Sequence, residues 1–321
     1  MSDIGAERDA WGAMAIERRD SAVFVGIGAA AACLVVLASC GDEHDPPVPG
    51  FAFLDRGRLV LVDPAEDWGV GEPFFDPDEP AVGRAVDVAT LPPSLAARPG
   101  ARVILMDRAG PVCESRAGAL SLAAFGHDVD GHDGSWGPSG YWDDLSPARL
   151  VADLAVEGRC DGATWAVIDQ AAPPVVASVP ADAPLAAAAL ARLRATRDYA
   201  SLYEGLRARA ADRGDDEALP AEEESVVRVG GIVAASIRVP LGWHYEPTAD
   251  LFALTTLEGT PLGEPAPWFV TSISVFDLEG DGRDEILAES GDDERVLLTA
   301  PGPTYGVTAS FSAATVFHGM P

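Results

Sequence analysis

The stretch LAAAALARLRATRDYASLYEGLRARAA, residues 185–211, decides how the fold is read. Leu190, Leu193, Tyr199, Leu202 and Leu206 recur at near-helical spacing, and Ala fills most of the other positions. An apolar stripe of that period, built on good helix formers, predicts one long helix over about Leu185–Ala211. Downstream the pattern changes. From Ser225 the apolar residues fall into runs at 226–239, 251–256, 268–276, 286–289, 296–300 and 307–317, which predicts strands. Upstream the signals are mixed. Phe51–Leu54 and Leu59–Val62 flank a turn at 55–58, and Arg102–Met106 and Val112–Phe125 flank another at 107–110, so two hairpins are expected. Ser146-Pro147 has the form of an N-cap followed by Pro at the first helical position, which predicts a short helix to about Glu157. Thr164–Ile168 and Val175–Val179 are expected as strands. The expected architecture is α+β: a mixed α/β domain over 51–213 carrying the long helix, an acidic linker over 214–224, and a β-rich domain over 225–321.

Charge narrows the partners. Removing residues 1–39 takes away three Arg and five acids, leaving 19 Arg against 46 Asp and Glu, a net of −27. Nucleic acid is excluded, because a phosphate backbone is bound by clustered cations that displace its counterions. Adhesion to anionic lipid head groups is disfavoured on the same ground, while an attraction for cations such as calcium is favoured. The chain has no Lys, no Asn and a single Gln, Gln170, a bias that a GC-rich genome also produces.

The N-terminus reads as an address. Residues 22–39 form an uncharged apolar run preceded by Arg18 and Arg19, the pattern of a secretory signal. It ends in Leu37-Ala38-Ser39-Cys40, which resembles the lipobox of bacterial lipoproteins. That resemblance implies thioether attachment of a diacylglyceryl group to Cys40, cleavage after Ser39 and acylation of the new amino group. Several acyl chains, at about 0.8 kcal/mol per buried CH₂, hold a protein stably at a membrane. The alternative is an uncleaved helix, for which 18 residues is barely long enough. Translation could start at Met1 or at Met14, which begins a more conventional signal; a twin-arginine route is set aside because Asp20-Ser21-Ala22 matches its motif poorly. Gly41 carries no inner-membrane retention cue of the enterobacterial kind, so the outer membrane is preferred. Residues 40–50, polar and rich in Pro, read as a tether.

The segment Asp277-Leu-Glu279-Gly-Asp281-Gly-Arg283-Asp-Glu285 carries the most chemistry. Acids at loop positions 1, 3 and 5, Gly282 at the turn, the Arg283 carbonyl at 7 and Glu285 at 9 form an oxygen donor set suited to Ca²⁺. With strands on both sides, the loop resembles that of integrin-type FG-GAP and VCBS repeats, where Asp-x-Asn-x-Asp-Gly-x-x-Asp recurs in β-propeller blades. Glu279 stands here for Asn and Glu285 for Asp. Only one good copy exists, Asp128–Asp133 being a degenerate echo, so a propeller is not supported. The competing reading is a metal-free hairpin whose Asp side chains cap backbone amides.

Once Cys33 leaves with the signal and Cys40 takes lipid, Cys113 and Cys160 remain. In an exported chain they are expected to pair, the alternative being two buried thiols. No nucleophile elbow, phosphate loop, His-Glu-x-x-His or Cys-x-x-Cys is present. These readings describe a calcium-stabilised, non-enzymatic envelope lipoprotein, held in the membrane by lipid on Cys40 and meeting an envelope protein or a polysaccharide; its oligomeric state is not legible. Two alternatives stand beside it: a secreted hydrolase with a site around His127 and His132 in the 126–144 loop, and a carbohydrate-binding module using Trp136, Trp142, Trp243 and Trp268.

Overall fold

A computed structural model describes residues 50–55, 57–64, 85–125, 149–155, 160–213, 219–240, 248–290, 294–300, 302–312 and 316–317. The export run and Cys40 lie outside these residues, as do His127, His132, Trp136, Trp142, Trp243 and residues 214–218 of the acidic linker.

The α+β expectation is overturned. Strands take up 49% of the described residues and helices 15%, and the long helix is two short ones, α1 (Ala183–Arg194) and α2 (Arg197–Arg213). The break has a local cause. The Thr196 hydroxyl donates to the Leu193 carbonyl at 2.7 Å and accepts from the Tyr199 amide at 3.2 Å, so one side chain closes α1 and N-caps α2. The expected short helix is also absent, since Arg149–Leu154 is a strand.

Six strands close into an antiparallel barrel: β1 (Phe51–Asp55), β2 (Arg58–Pro64), β3 (Arg102–Asp107), β4 (Gly110–Phe125), β5 (Arg149–Leu154) and β6 (Trp165–Ile168). Around the ring the order is β4-β3-β6-β1-β2-β5, and β5 returns to β4. The 16-residue β4 makes closure possible by pairing with β3 over 110–116 and with β5 from Ala117 onward. Gly118 sits at that changeover, where a Cβ would lie 3.1 Å from the Asp153 carbonyl oxygen. Alternate residues of all six strands, including Leu54, Leu59, Leu105, Leu122, Leu150 and Ile168, fill one cluster with Leu91 and Leu95 from the preceding loop. A face shared by every strand of a closed ring is its interior.

The outward residues of this wall are also apolar, and they face a second sheet. It contains β7 (Val176–Ala177), β12 (Ser272–Phe276), β13 (Glu285–Glu289), β14 (Glu294–Thr299) and β15 (Gly306–Ser312), in the order β15-β14-β13-β12-β7. Aromatic rings cross the seam: Phe311 on Phe53 at 5.5 Å, Phe53 on Phe51 at 5.2 Å, Phe51 on Trp165 at 5.5 Å, and Trp165 on Phe276 at 4.4 Å. The far side of the five-stranded sheet packs on a four-stranded one through Ile273, Val275, Ile286 and Val296 against Val227, Ala234, Phe252 and Leu254. That sheet is β11-β10-β9-β8, made from β8 (Val179–Pro180), β9 (Glu223–Val229), β10 (Ile232–Pro240) and β11 (Thr248–Thr256). The chain steps from one sheet to the other at Ser178, whose hydroxyl oxygen accepts from the Ile273 amide at 3.0 Å. A last strand, β16 (Val316–Phe317), pairs with the end of β4.

The helices cover the outer face of the four-stranded sheet. Ala189, Leu190 and Leu193 of α1 pack on Val233, Ala235, Ile237 and Leu251, and burial contributes roughly 1.5–3 kcal/mol per large apolar side chain. A polar cluster pins their other side. Arg194 pairs with Glu222 and Glu224, while the Tyr199 and Tyr203 hydroxyls donate to Glu222 Oε1 at 2.6 and 2.5 Å. Among the described residues no helix is long and apolar enough to cross a membrane.

Candidate functional site

The 277–285 loop joins β12 to β13, where Phe276 and Glu285 form the last pair of the ladder. Its backbone turns through Gly280 and Gly282 at φ +70° and +81°, values that favour Gly. Asp277 organises the turn. Its carboxylate accepts from the amides of Gly280 at 2.7 Å, Asp281 at 3.1 Å and Gly282 at 2.9 Å, and Asp281 accepts from Arg283 at 2.8 Å. Glu285 is buried, with Oε2 accepting from the Leu278 amide at 2.7 Å. Burial pushes its carboxyl above the usual range, and the negative charges of Asp277 and Glu279 push it further, outweighing the amide hydrogen bond. The loop therefore brings Asp277, Glu279 and Glu285 into mutual influence. Among the described residues, however, no three acids, His or Cys stand close enough to hold a metal as they lie.

The two remaining cysteines are joined. Cys113 on β4 and Cys160, just before β6, form a disulfide with a Cα–Cα distance of 5.9 Å and a sequence separation of 47. It ties the loop ahead of β6 to the wall of the barrel. Trp268, named for a sugar-binding surface, packs against the core between the two open sheets.

A second polar site lies at the barrel–sheet seam. A cleft of 520 Å³ opens there, between the β3–β4 turn, the approach to β6, and the ends of β12, β13 and β14. Glu289 and Arg295, each 8% exposed, form its floor as a cross-strand pair. Arg295 Nη1 donates across the seam to the Leu54 carbonyl at 2.7 Å, and its guanidinium lies over Phe311. The carboxylate of Glu289 is held loosely, 3.9 Å from Arg295 Nε, 4.0 Å from Arg108 Nε, and 3.5 Å from the Ser272 hydroxyl. The first two distances are ion pairs rather than hydrogen bonds. Thr164, also in the wall, has a buried hydroxyl with no hydrogen-bond partner among the described residues. Sequence reading passed over this site, although a signal existed: Glu289 and Arg295 are charges ending the apolar runs 286–288 and 296–298. A hairpin joining those runs puts the two opposite each other.

Comparison of the chain with protein families, curated proteins and solved structures returns no match. What the protein does must be argued from its own residues.

Proposed function

We propose that this chain is a cell-envelope lipoprotein, anchored through lipid on Cys40 and preferring the outer membrane, whose body acts as a non-enzymatic structural or interaction module for an envelope protein or a polysaccharide. The supporting observation is the Cys113–Cys160 disulfide. Disulfides persist in oxidising compartments and are rare in the cytosol, so the pairing agrees with the export run and lipobox at 22–40. The test is phase partition in a detergent that clouds on warming. The parent protein, carrying its lipid, should enter the detergent phase, and Cys40→Ala should leave a longer, unprocessed chain. Equal partition and equal length of the two would remove the anchor.

Calcium belongs to the same reading. The donors fit a hard cation: Asp277, Glu279, Asp281 and Glu285 side chains with the Arg283 carbonyl would hold it, and a doubly charged ion would relieve the buried charge of Glu285. Asp277 and Asp281 would have to exchange amide donors for the ion. Calorimetric titration of the full chain with calcium, with Asp281→Ala as the control, should give heat that the variant lacks. Absence of heat in the parent protein rejects the ion.

A further inference from the structure

We propose that the cleft at the barrel–sheet seam binds a neutral polyhydroxylated ligand, a saccharide unit. This sharpens the polysaccharide side of the role proposed above, and it is tested at the cleft, apart from the lipid and the calcium loop. The cleft's 520 Å³ falls within the range of small-molecule sites. Its wall carries Arg108 and Arg295 against Asp107 and Glu289, so it has no net charge. A small anion would approach a chain of net charge −29 and meet the Glu289 carboxylate. A small cation would meet two guanidiniums. A neutral ligand rich in hydroxyls meets neither objection.

The unfilled hydrogen-bonding capacity is of the kind hydroxyls fill. The Glu289 side chain is buried, and among the described residues its carboxylate has no polar contact closer than the 3.5 Å to Ser272, so it has room for donors. Arg108 is 62% exposed along its side chain and touches Glu289 only through Nε at 4.0 Å; among the described residues its other N–H groups meet no acceptor. Thr164 Oγ1 is buried within the wall, so Glu289, Arg108 and Thr271 are the groups a ligand would meet. Thr271 Oγ1 donates to the Glu289 carbonyl at 3.2 Å and keeps its own lone pairs. A hydroxyl both donates and accepts, so neighbouring hydroxyls of one ring could serve Glu289 and Arg108 together. The frame is already fixed: Arg295 is locked by Leu54, and the Asp107 carboxylate holds the β3–β4 turn through the amides of Ala109 at 2.7 Å and Gly110 at 3.0 Å.

The experiment is saturation-transfer NMR on the full chain in a detergent without a sugar head group, with glucose, N-acetylglucosamine and trehalose as probes. Transfer to the ring protons of at least one sugar is expected, and Arg108→Ala and Thr271→Val should each reduce it about fivefold, the effect of losing one hydrogen bond. Circular dichroism confirms that both variants are folded. No transfer to any of these sugars, transfer that survives either substitution unchanged, or displacement by acetate or phosphate would overturn the proposal. Loss of the Cys40 lipid would leave the result unaffected, so the two readings fail separately.

Discussion

Glu285 combines burial with unbalanced charge at a single position. Its carboxyl titrates above the ordinary range because burial and the charges of Asp277 and Glu279 oppose ionisation. A carboxyl whose folded pKa is raised favours folding below its unfolded value, and that contribution disappears as pH rises through the folded value. At neutral pH without calcium, Glu285 is therefore a cost. Glu285→Gln keeps an oxygen for the Leu278 amide and removes the charge, so its thermal midpoint at pH 7 should exceed that of the parent. The gap should close as the solution is acidified below the carboxylate range. A lower midpoint for the variant at pH 7 would show that the negative charge stabilises the loop. The donor types of this loop were legible from Asp277, Gly282 and Glu285. The use of Asp277 as a triple amide acceptor was not, because the same spacing serves an ion and a capped turn equally.

The helical layer is an element held by one carboxylate. Burial pushes the Glu222 carboxyl up, but hydrogen bonds from Tyr199, Tyr203 and Arg194 more than offset this and hold it below the usual range. Its contribution is therefore present above the unfolded carboxylate pKa and is lost as pH falls through the depressed folded value. The tyrosines act at the other end: burial first, then the bond to Glu222, push both hydroxyls up, so their contribution is lost only as pH rises through their raised values. Hydrogen exchange should show α1 and α2 amides losing protection in acid before those of the barrel strands, and Glu222→Gln should bring that loss to neutral pH. Simultaneous loss across helices and barrel would contradict this. Element by element, the two early hairpins and the downstream strands follow the apolar runs seen in sequence, except that 226–239 folds back on itself at Gly230-Gly231. The two helix errors have separate causes. Leu150, Val151 and Leu154 suit a helix or a strand, and the strand forms because β5 finds partners on both sides, in β2 and β4. In the long helix, the Thr196 hydroxyl competes for backbone groups within a run of otherwise good helix formers.

At the scale of the whole molecule, barrel closure and the seam were not visible in sequence, since both depend on pairings between distant segments. Only the unbroken apolar run Phe51–Leu54 carried a trace of it, and β1 is indeed buried on both faces. Trp165 is fully buried at the seam and stacks on Phe276 and Phe51. Trp165→Ala should destabilise the protein by about 3–5 kcal/mol in urea unfolding. A cost below about 1 kcal/mol, the scale of a tolerated surface change, would mean that barrel and sheet do not depend on the seam. The central claim, attachment through one lipidated sulfur, is tested most directly by intact-mass and N-terminal peptide mass spectrometry of the protein taken from its native membrane. The account predicts a chain beginning at Cys40 and heavier than its sequence by a diacylglyceryl group and an amide-linked acyl chain. A chain that retains residues 1–39, or one whose Cys40 carries no lipid, would contradict it.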